Sequence, residues 1–136
     1  MFEIKICGVR LKSDIDAVAQ AAKQSGKSAA VGLNFYPPSV RYVDPTEAST
    51  RELSDHAKSA GLIRVGVFVN ETSDTISQIA TTVGLDIVQL HGDEPIETAQ
   101  QLIAAGHTLL RAIKLPTANL TADQIHQRVS PWSQIG

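Results

Sequence analysis

One cysteine, a net charge of −2 and no long apolar run set the first limits on this 136-residue chain. A single thiol forbids an internal disulfide, which fits a reducing, cytoplasmic setting. Near-neutral charge without a basic stripe speaks against nucleic-acid binding. No stretch approaches the roughly 18 apolar residues that a membrane-crossing helix needs. The opening MFEIKICG lacks the apolar core of a signal peptide. No Gly-rich phosphate loop of either common type occurs. No pair among the four histidines has ligand spacing, so no metal is expected.

What is present is an ordinary core composition, 43% hydrophobic, arranged in a repeating order. Five β-rich runs stand out: FEIKICG (Phe2–Gly8), AVGLNFY (Ala30–Tyr36), IRVGVFVN (Ile63–Asn70), DIVQLH (Asp86–His91) and TLLRAIKL (Thr108–Leu115). Helical patterns lie between them. Ser13 with Asp16 predicts a capping box ahead of Ile15, Val18, Ala19 and Ala22, and Gly26 a stop. Asp44-Pro45 followed by Glu47 predicts a helix start and Gly61 its end. Ile76, Ile79, Ala80 and Val83 form a stripe ending at Gly84. Pro95 opens a fourth helix closed by Gly106, and Thr121 with Gln124 predicts a fifth start. Strand and helix alternating without a linker implies βαβ units, a parallel sheet and one domain over residues 1–136.

Alternation within the strands sorts side chains onto two faces. Ile4, Ile6, Val31, Leu33, Phe35, Val65, Val67, Val69, Val88 and Leu90 are expected on one. Lys5, Cys7, Gly32, Asn34, Arg64, Gly66, Asn70, Gln89, His91 and Arg111 are expected on the other. One greasy face and one polar or small face suit a (β/α) barrel with helices outside and a polar mouth. A full (β/α)₈ barrel takes at least about 200 residues. The chain therefore reads as the first five units, the N-terminal portion of a single barrel domain, with a sixth strand due at about Trp132–Gly136.

The site of such a barrel lies at the C-terminal ends of its strands, where Cys7, Asn34, Asn70 and His91 fall. Cys7 is a base or nucleophile if its thiolate is available, with Lys5 on the same face to assist, or else a small buried hydrophobe. His91 in LHGDE is a site residue or a histidine satisfied at a strand end. His56, His107 and His126 are expected to face solvent. Asp93, Glu94 and Glu97 read as acids favouring a helix start. In FYPPSVRYV two prolines stiffen the loop that carries Arg41, which suits a carboxylate or phosphate clamp; the alternative is a plain surface arginine.

KICGVR, AVGLNFYPPSVRYV, RVGVFVN and VQLHGDE, in this order from Lys5 to about Lys114, resemble the phosphoribosylanthranilate isomerase family of tryptophan biosynthesis. The resemblance implies a (β/α)₈ barrel that converts N-(5-phosphoribosyl)anthranilate to its 1-deoxyribulose isomer by an Amadori rearrangement, without metal or organic cofactor. It implies that Cys7 is the general base, that Arg41 holds the anthranilate carboxylate and that His91 lines the site. The family's general acid is an aspartate ending the sixth strand, and its phosphate site lies on the loops after strands seven and eight. Asp86, Asp93 and Asp123 do not match the acid's motif. Two expectations follow: an isomerase or its N-terminal part, and alternatively an inactive or structural fragment whose unpaired edge strands self-associate.

Overall fold

The computed structural model describes residues 1–115 and 119–133. Ten elements alternate along the chain: β1 (Ile4–Cys7), α1 (Lys12–Ser25), β2 (Ala29–Asn34), α2 (Ala48–Ser59), β3 (Ile63–Phe68), α3 (Ser73–Val83), β4 (Ile87–Leu90), α4 (Ile96–Ala104), β5 (Thr108–Arg111) and α5 (Ala122–Ser133). The strands form one parallel sheet in the order β1-β2-β3-β4-β5. All five expected strands and all five helices are present. Residues 134–136 of the expected sixth-strand region lie outside the described residues, and Trp132 belongs to α5.

Helix ends follow local chemistry more closely than helix starts. The N–H of Gly26 closes α1 on the Ala22 carbonyl, and that of Gly84 closes α3 on Ala80. Thr121 and Gln124 exchange reciprocal side-chain bonds to each other's backbone N–H at 3.2 and 2.9 Å, a capping box as expected. The two earlier caps differ from expectation. Helix α1 begins at Lys12, which leaves Ser13 inside it and frees Asp16 to meet His56 of α2 at 2.7 Å. Asp44 accepts from the N–H and hydroxyl of Thr46 and shapes a turn instead, so α2 starts only at Ala48. Asp16 is drawn across to a neighbouring helix, and Asp44 closes a local turn through Thr46 ahead of α2 rather than capping it.

Helices cover one face of the sheet. Ile15, Leu53, Ala57, Ile76, Ala80, Val83, Ala99 and Leu102 pack there on Val31, Leu33, Phe68, Val88 and Leu90. Phe35 stacks on Phe68 with ring centroids 5.3 Å apart, an aromatic pair contributing about 0.5–1.5 kcal/mol beyond its burial.

The register corrects the face assignment of β3. Val31 pairs with Arg64 and Leu33 with Gly66, whereas Gly32 pairs with Val65 and Asn34 with Val67. Arg64 and Gly66 therefore face the helices, and Val65 and Val67 face the interior. There Val65 forms a second small core with Ala30 and Ile87. Arg111, opposite Leu90, also lies on the helix side. Barrel interiors are packed with branched side chains, so apolarity does not tell the two faces apart. Arg64 is tolerated under the helices because Asp86 takes its guanidinium in two bonds of 3.1 Å and Ser54 takes a third at 3.3 Å.

The sheet curls strongly. Strands β1 and β4 are three places apart, about 14 Å in a flat sheet at the usual inter-strand spacing. Yet the Lys5 ammonium donates directly to the Gln89 side-chain carbonyl across the interior. That contact requires the sheet to curl, concave on its interior face.

Candidate active site

The interior face reaches its C-terminal rim at Cys7, Asn34 and His91, and Arg41 is brought to the same rim by its loop. Cys7 ends β1 and is exposed, so it is not the buried hydrophobe of the alternative reading. Its sulfur stands above Gly32: a methyl group there would lie 3.0 Å from the Cys7 Sγ and 3.2 Å from Lys5 Cε. A side chain on β2 at that point would displace the thiol.

After Cys7 the chain turns at Gly8, whose φ is +79°, a left-handed conformation that glycine adopts without penalty. The N–H groups of Gly8 and Val9 both bond the Gly32 carbonyl, at 2.9 and 3.1 Å. Glycine has a second use here. The Arg41 side chain lies flat on Gly8, so that a Cβ would sit 2.2 Å from Arg41 Cδ. The guanidinium donates to the Cys7 carbonyl at 3.5 Å. Cysteine and arginine, far apart in the chain, thus share one spot at the mouth.

Asn34 builds the loop that delivers Arg41. Its side-chain oxygen accepts from Tyr36 N–H at 2.8 Å, and its backbone carbonyl accepts from Val43 N–H at 2.9 Å. Ser39 Oγ accepts from Arg41 N–H at 3.1 Å. Beyond Arg41 the loop is acidic. Hydrogen bonds from Thr46 hold the Asp44 carboxyl below its usual range. Burial first, then the charges of Asp44 and Glu47, push the Tyr42 phenol up.

His91 follows β4 and is exposed at the rim. It is not adjacent to Cys7 in the sheet; it joins the site through Gln89, whose amide lies 3.4 Å from His91 Nδ1. Lys5, expected to assist the thiol, is committed to Gln89. Of the other histidines, His107 meets Ser77 Oγ at 2.9 Å and His56 meets Asp16. Among the described residues, no group of three or more His, Cys, Asp or Glu could hold a metal ion.

One buried group escaped the sequence reading. Glu94 is not a helix cap: α4 starts at Ile96 behind Pro95. It is 4% exposed, and its carboxylate accepts from Asn70 N–H at 2.7 Å, from Gly92 N–H at 3.0 Å and from the Arg111 guanidinium. Arg111 also donates to the Gly92 carbonyl at 2.8 Å and lies 4.3 Å from the Trp132 ring centre. Asn70, at φ +53°, accepts from Asp93 N–H at 2.7 Å. The loops after β3 and β4, the latter carrying His91, are thereby locked together. The only signal in sequence was HGDE beside VFVN, since each partner comes from a different element.

Known proteins share this fold. The family described as N-(5'phosphoribosyl)anthranilate (PRA) isomerase matches residues 4–130. The chain belongs to that family. N-(5'-phosphoribosyl)anthranilate isomerase of Priestia megaterium is 37% identical over 123 residues, covering 90% of this chain and 55% of the relative. That of Myxococcus xanthus is 47% identical over 95 residues, covering 69% and 41%. A crystal structure of phosphoribosyl anthranilate isomerase in complex with reduced 1-(o-carboxyphenylamino)-1-deoxyribulose 5-phosphate superposes with a TM-score of 0.74 at 34% identity, over 96% of this chain and 61% of that one. Monomers generated from the dimeric Thermotoga maritima isomerase give 0.73 at 33% identity, with the same coverage. The chain spans about half the length of the curated relatives it matches. Its curled parallel sheet superposes on part of the isomerase structures, and Cys7, Arg41 and His91 stand at the end of that sheet where barrel sites form.

Proposed function

We propose that the protein carrying this chain isomerises N-(5-phosphoribosyl)anthranilate to 1-(2-carboxyphenylamino)-1-deoxyribulose 5-phosphate, and that these 136 residues are the N-terminal portion of its single barrel domain. The observation that carries the reading is Arg41 lying on Gly8 with its guanidinium at the Cys7 carbonyl. A cation placed there suits the anthranilate carboxylate and sets the sugar over the thiol. Opening of the ribose ring leaves a protonated imine at C1′. The Cys7 thiolate removes the C2′ proton, the C–H pair becomes the C1′=C2′ bond, and the imine pair returns to nitrogen. Proton transfer to C1′ with loss of the C2′ hydroxyl proton then gives the ketone. These steps need an acid as well as a base. The family places that acid, and the phosphate site, on later strands. Asp86 is engaged with Arg64 on the helix side, and neither Asp93 nor Asp123 matches the acid's motif. The substrate is a small molecule, no cofactor or metal is called for, and the single exposed thiol suits a cytoplasmic setting.

A second reading holds for the 136 residues taken alone. Strands β1 and β5 end the sheet, and Ile4 and Ile6 on β1 are 37% and 46% exposed. Free edges and bare isoleucines favour pairing with another chain. Size-exclusion chromatography with light scattering, run beside an isomerase assay, tests both readings. The intact protein is expected to turn over substrate. The 136-residue polypeptide is expected to be inactive, and self-associated or marginally folded, with activity returning when the remaining barrel units are supplied in trans. A stable active monomer of 136 residues would refute the second reading. An intact protein without isomerase activity would refute the first.

A further inference from the structure

We propose that Lys5 and Gln89 set the tautomer of His91, so that this histidine presents Nε2–H at the barrel mouth as a hydrogen-bond donor to an oxygen of the substrate. Lys5 is the one end of this chain of contacts whose polarity is not free. An ammonium group donates three hydrogen bonds and accepts none. Lys5 bonds the side-chain amide of Gln89, so the amide must turn its carbonyl oxygen towards Lys5. The NH₂ end of the same amide then faces His91 Nδ1 at 3.4 Å. That NH₂ can only donate, so Nδ1 must be the unprotonated, accepting nitrogen, and the neutral imidazole carries its proton on Nε2.

The strand alternation makes the relay possible. Lys5 and Gln89 lie on the interior face of β1 and β4, and Gly32 and Val65 stand between them on the strands they bridge. Gly32 leaves the room in which the lysine stem passes: a methyl group there would lie 3.2 Å from Lys5 Cε. His91 continues the β4 face and is exposed. Among the described residues its Nε2 has no hydrogen-bond partner, so that edge of the ring is available to a ligand. A donor of this kind takes an anionic, hydroxyl or phosphate oxygen, and it cannot act as a base through Nε2. Lys5 and Gln89 are positioning residues, and the use of the donor in catalysis rests on the isomerase reading above. The tautomer itself does not.

The test is a long-range ¹H–¹⁵N correlation spectrum of the ¹⁵N-labelled intact protein at about pH 8.5, well above the ordinary imidazole value of roughly 6.5. His91 is assigned by the loss of its signals in His91→Gln. Wild type is expected to show an unprotonated Nδ1 and a protonated Nε2. Gln89→Glu replaces the donor with an acceptor and is expected to invert the pattern, moving the proton to Nδ1. Lys5→Met releases the amide and is expected to mix the two tautomers. A wild-type spectrum with the proton on Nδ1 overturns the proposal, as does a Gln89→Glu protein that keeps Nε2–H unchanged. Should either variant fail to fold, the wild-type spectrum together with the other variant decides. A wrong tautomer would leave the assignments of Cys7 and Arg41 standing, and loss of the isomerase assignment would leave the spectrum unaltered.

Discussion

Glu94→Ala tests whether the buried carboxylate holds the rim of the site. Its side chain is 1% exposed and its partner Arg111 17% exposed, so solvent screens the pair little. The substitution removes two charge-assisted bonds from Asn70 and Gly92 N–H and leaves the Arg111 guanidinium facing a cavity. Breaking a buried pair by removing one partner costs about 3–5 kcal/mol. Set against a whole-domain stability of about 5–15 kcal/mol, that is a large fraction. The position of Arg111 sharpens the expectation. Among the described residues its Nε is already buried without a partner, so loss of Glu94 leaves the cation only its bond to the Gly92 carbonyl and the Trp132 face. Glu94→Leu combined with Arg111→Met removes both charges and is expected to cost clearly less than Glu94→Ala alone. Urea unfolding of the intact protein, followed by circular dichroism and by the fluorescence of Trp132, the only tryptophan in these 136 residues and stacked on Arg111, measures both. A cost below about 1 kcal/mol for the single variant, or a double variant as costly as the sum of its parts, would refute the reasoning.

Other expectations concern the chemistry and the fold around it. Cys7→Ala in the intact protein is expected to abolish turnover while leaving the unfolding midpoint nearly unchanged, since the thiol is exposed; wild-type turnover would remove the base assignment. Arg41→Ala is expected to raise KM about 10- to 100-fold, as for one charge-assisted bond to substrate, and an unchanged KM would return Arg41 to the plain surface reading. Gly8→Ala forces a Cβ to 2.2 Å from Arg41 Cδ at φ +79°; it is expected to raise KM as Arg41→Ala does and also to lower the unfolding midpoint. For Asp86, burial alone would push the carboxyl up, but the hydrogen bonds and charge of Arg64, with Lys58 farther off, outweigh it and hold it below 3.8. A carboxyl depressed in the folded state adds stability above its unfolded value and loses it as pH falls through the folded value. Acid titration of Asp86→Asn should therefore show a weaker loss of stability below about pH 4 than wild type, and parallel curves would exclude the ion pair as a source of that loss.

Much of this protein follows from contacts between neighbours along the chain. Five strand-helix units follow from apolar runs of strand length separated by helical stripes. Gly26, Gly84 and the Thr121–Gln124 pair end or start helices through bonds within a single turn. Cys7 at the end of β1 and the stiff loop carrying Arg41 were legible for the same reason, and the combination of four motifs reached the family. Tertiary structure decided the rest. The face of β3 could not be read, because Val65 and Val67 are as apolar as a helix-facing residue and still point inward, while Arg64 is accepted under the helices by Asp86 and Ser54. Asp16 and Asp44 left their expected caps once His56 and Thr46 offered closer partners. Glu94 gained its place from Asn70, Gly92 and Arg111 on three different segments. The Lys5–Gln89 bond joins residues 84 positions apart and exists only because the sheet curls. Propensity and capping act over a few residues, whereas burial and pairing of charge depend on which segments the closing sheet brings within reach.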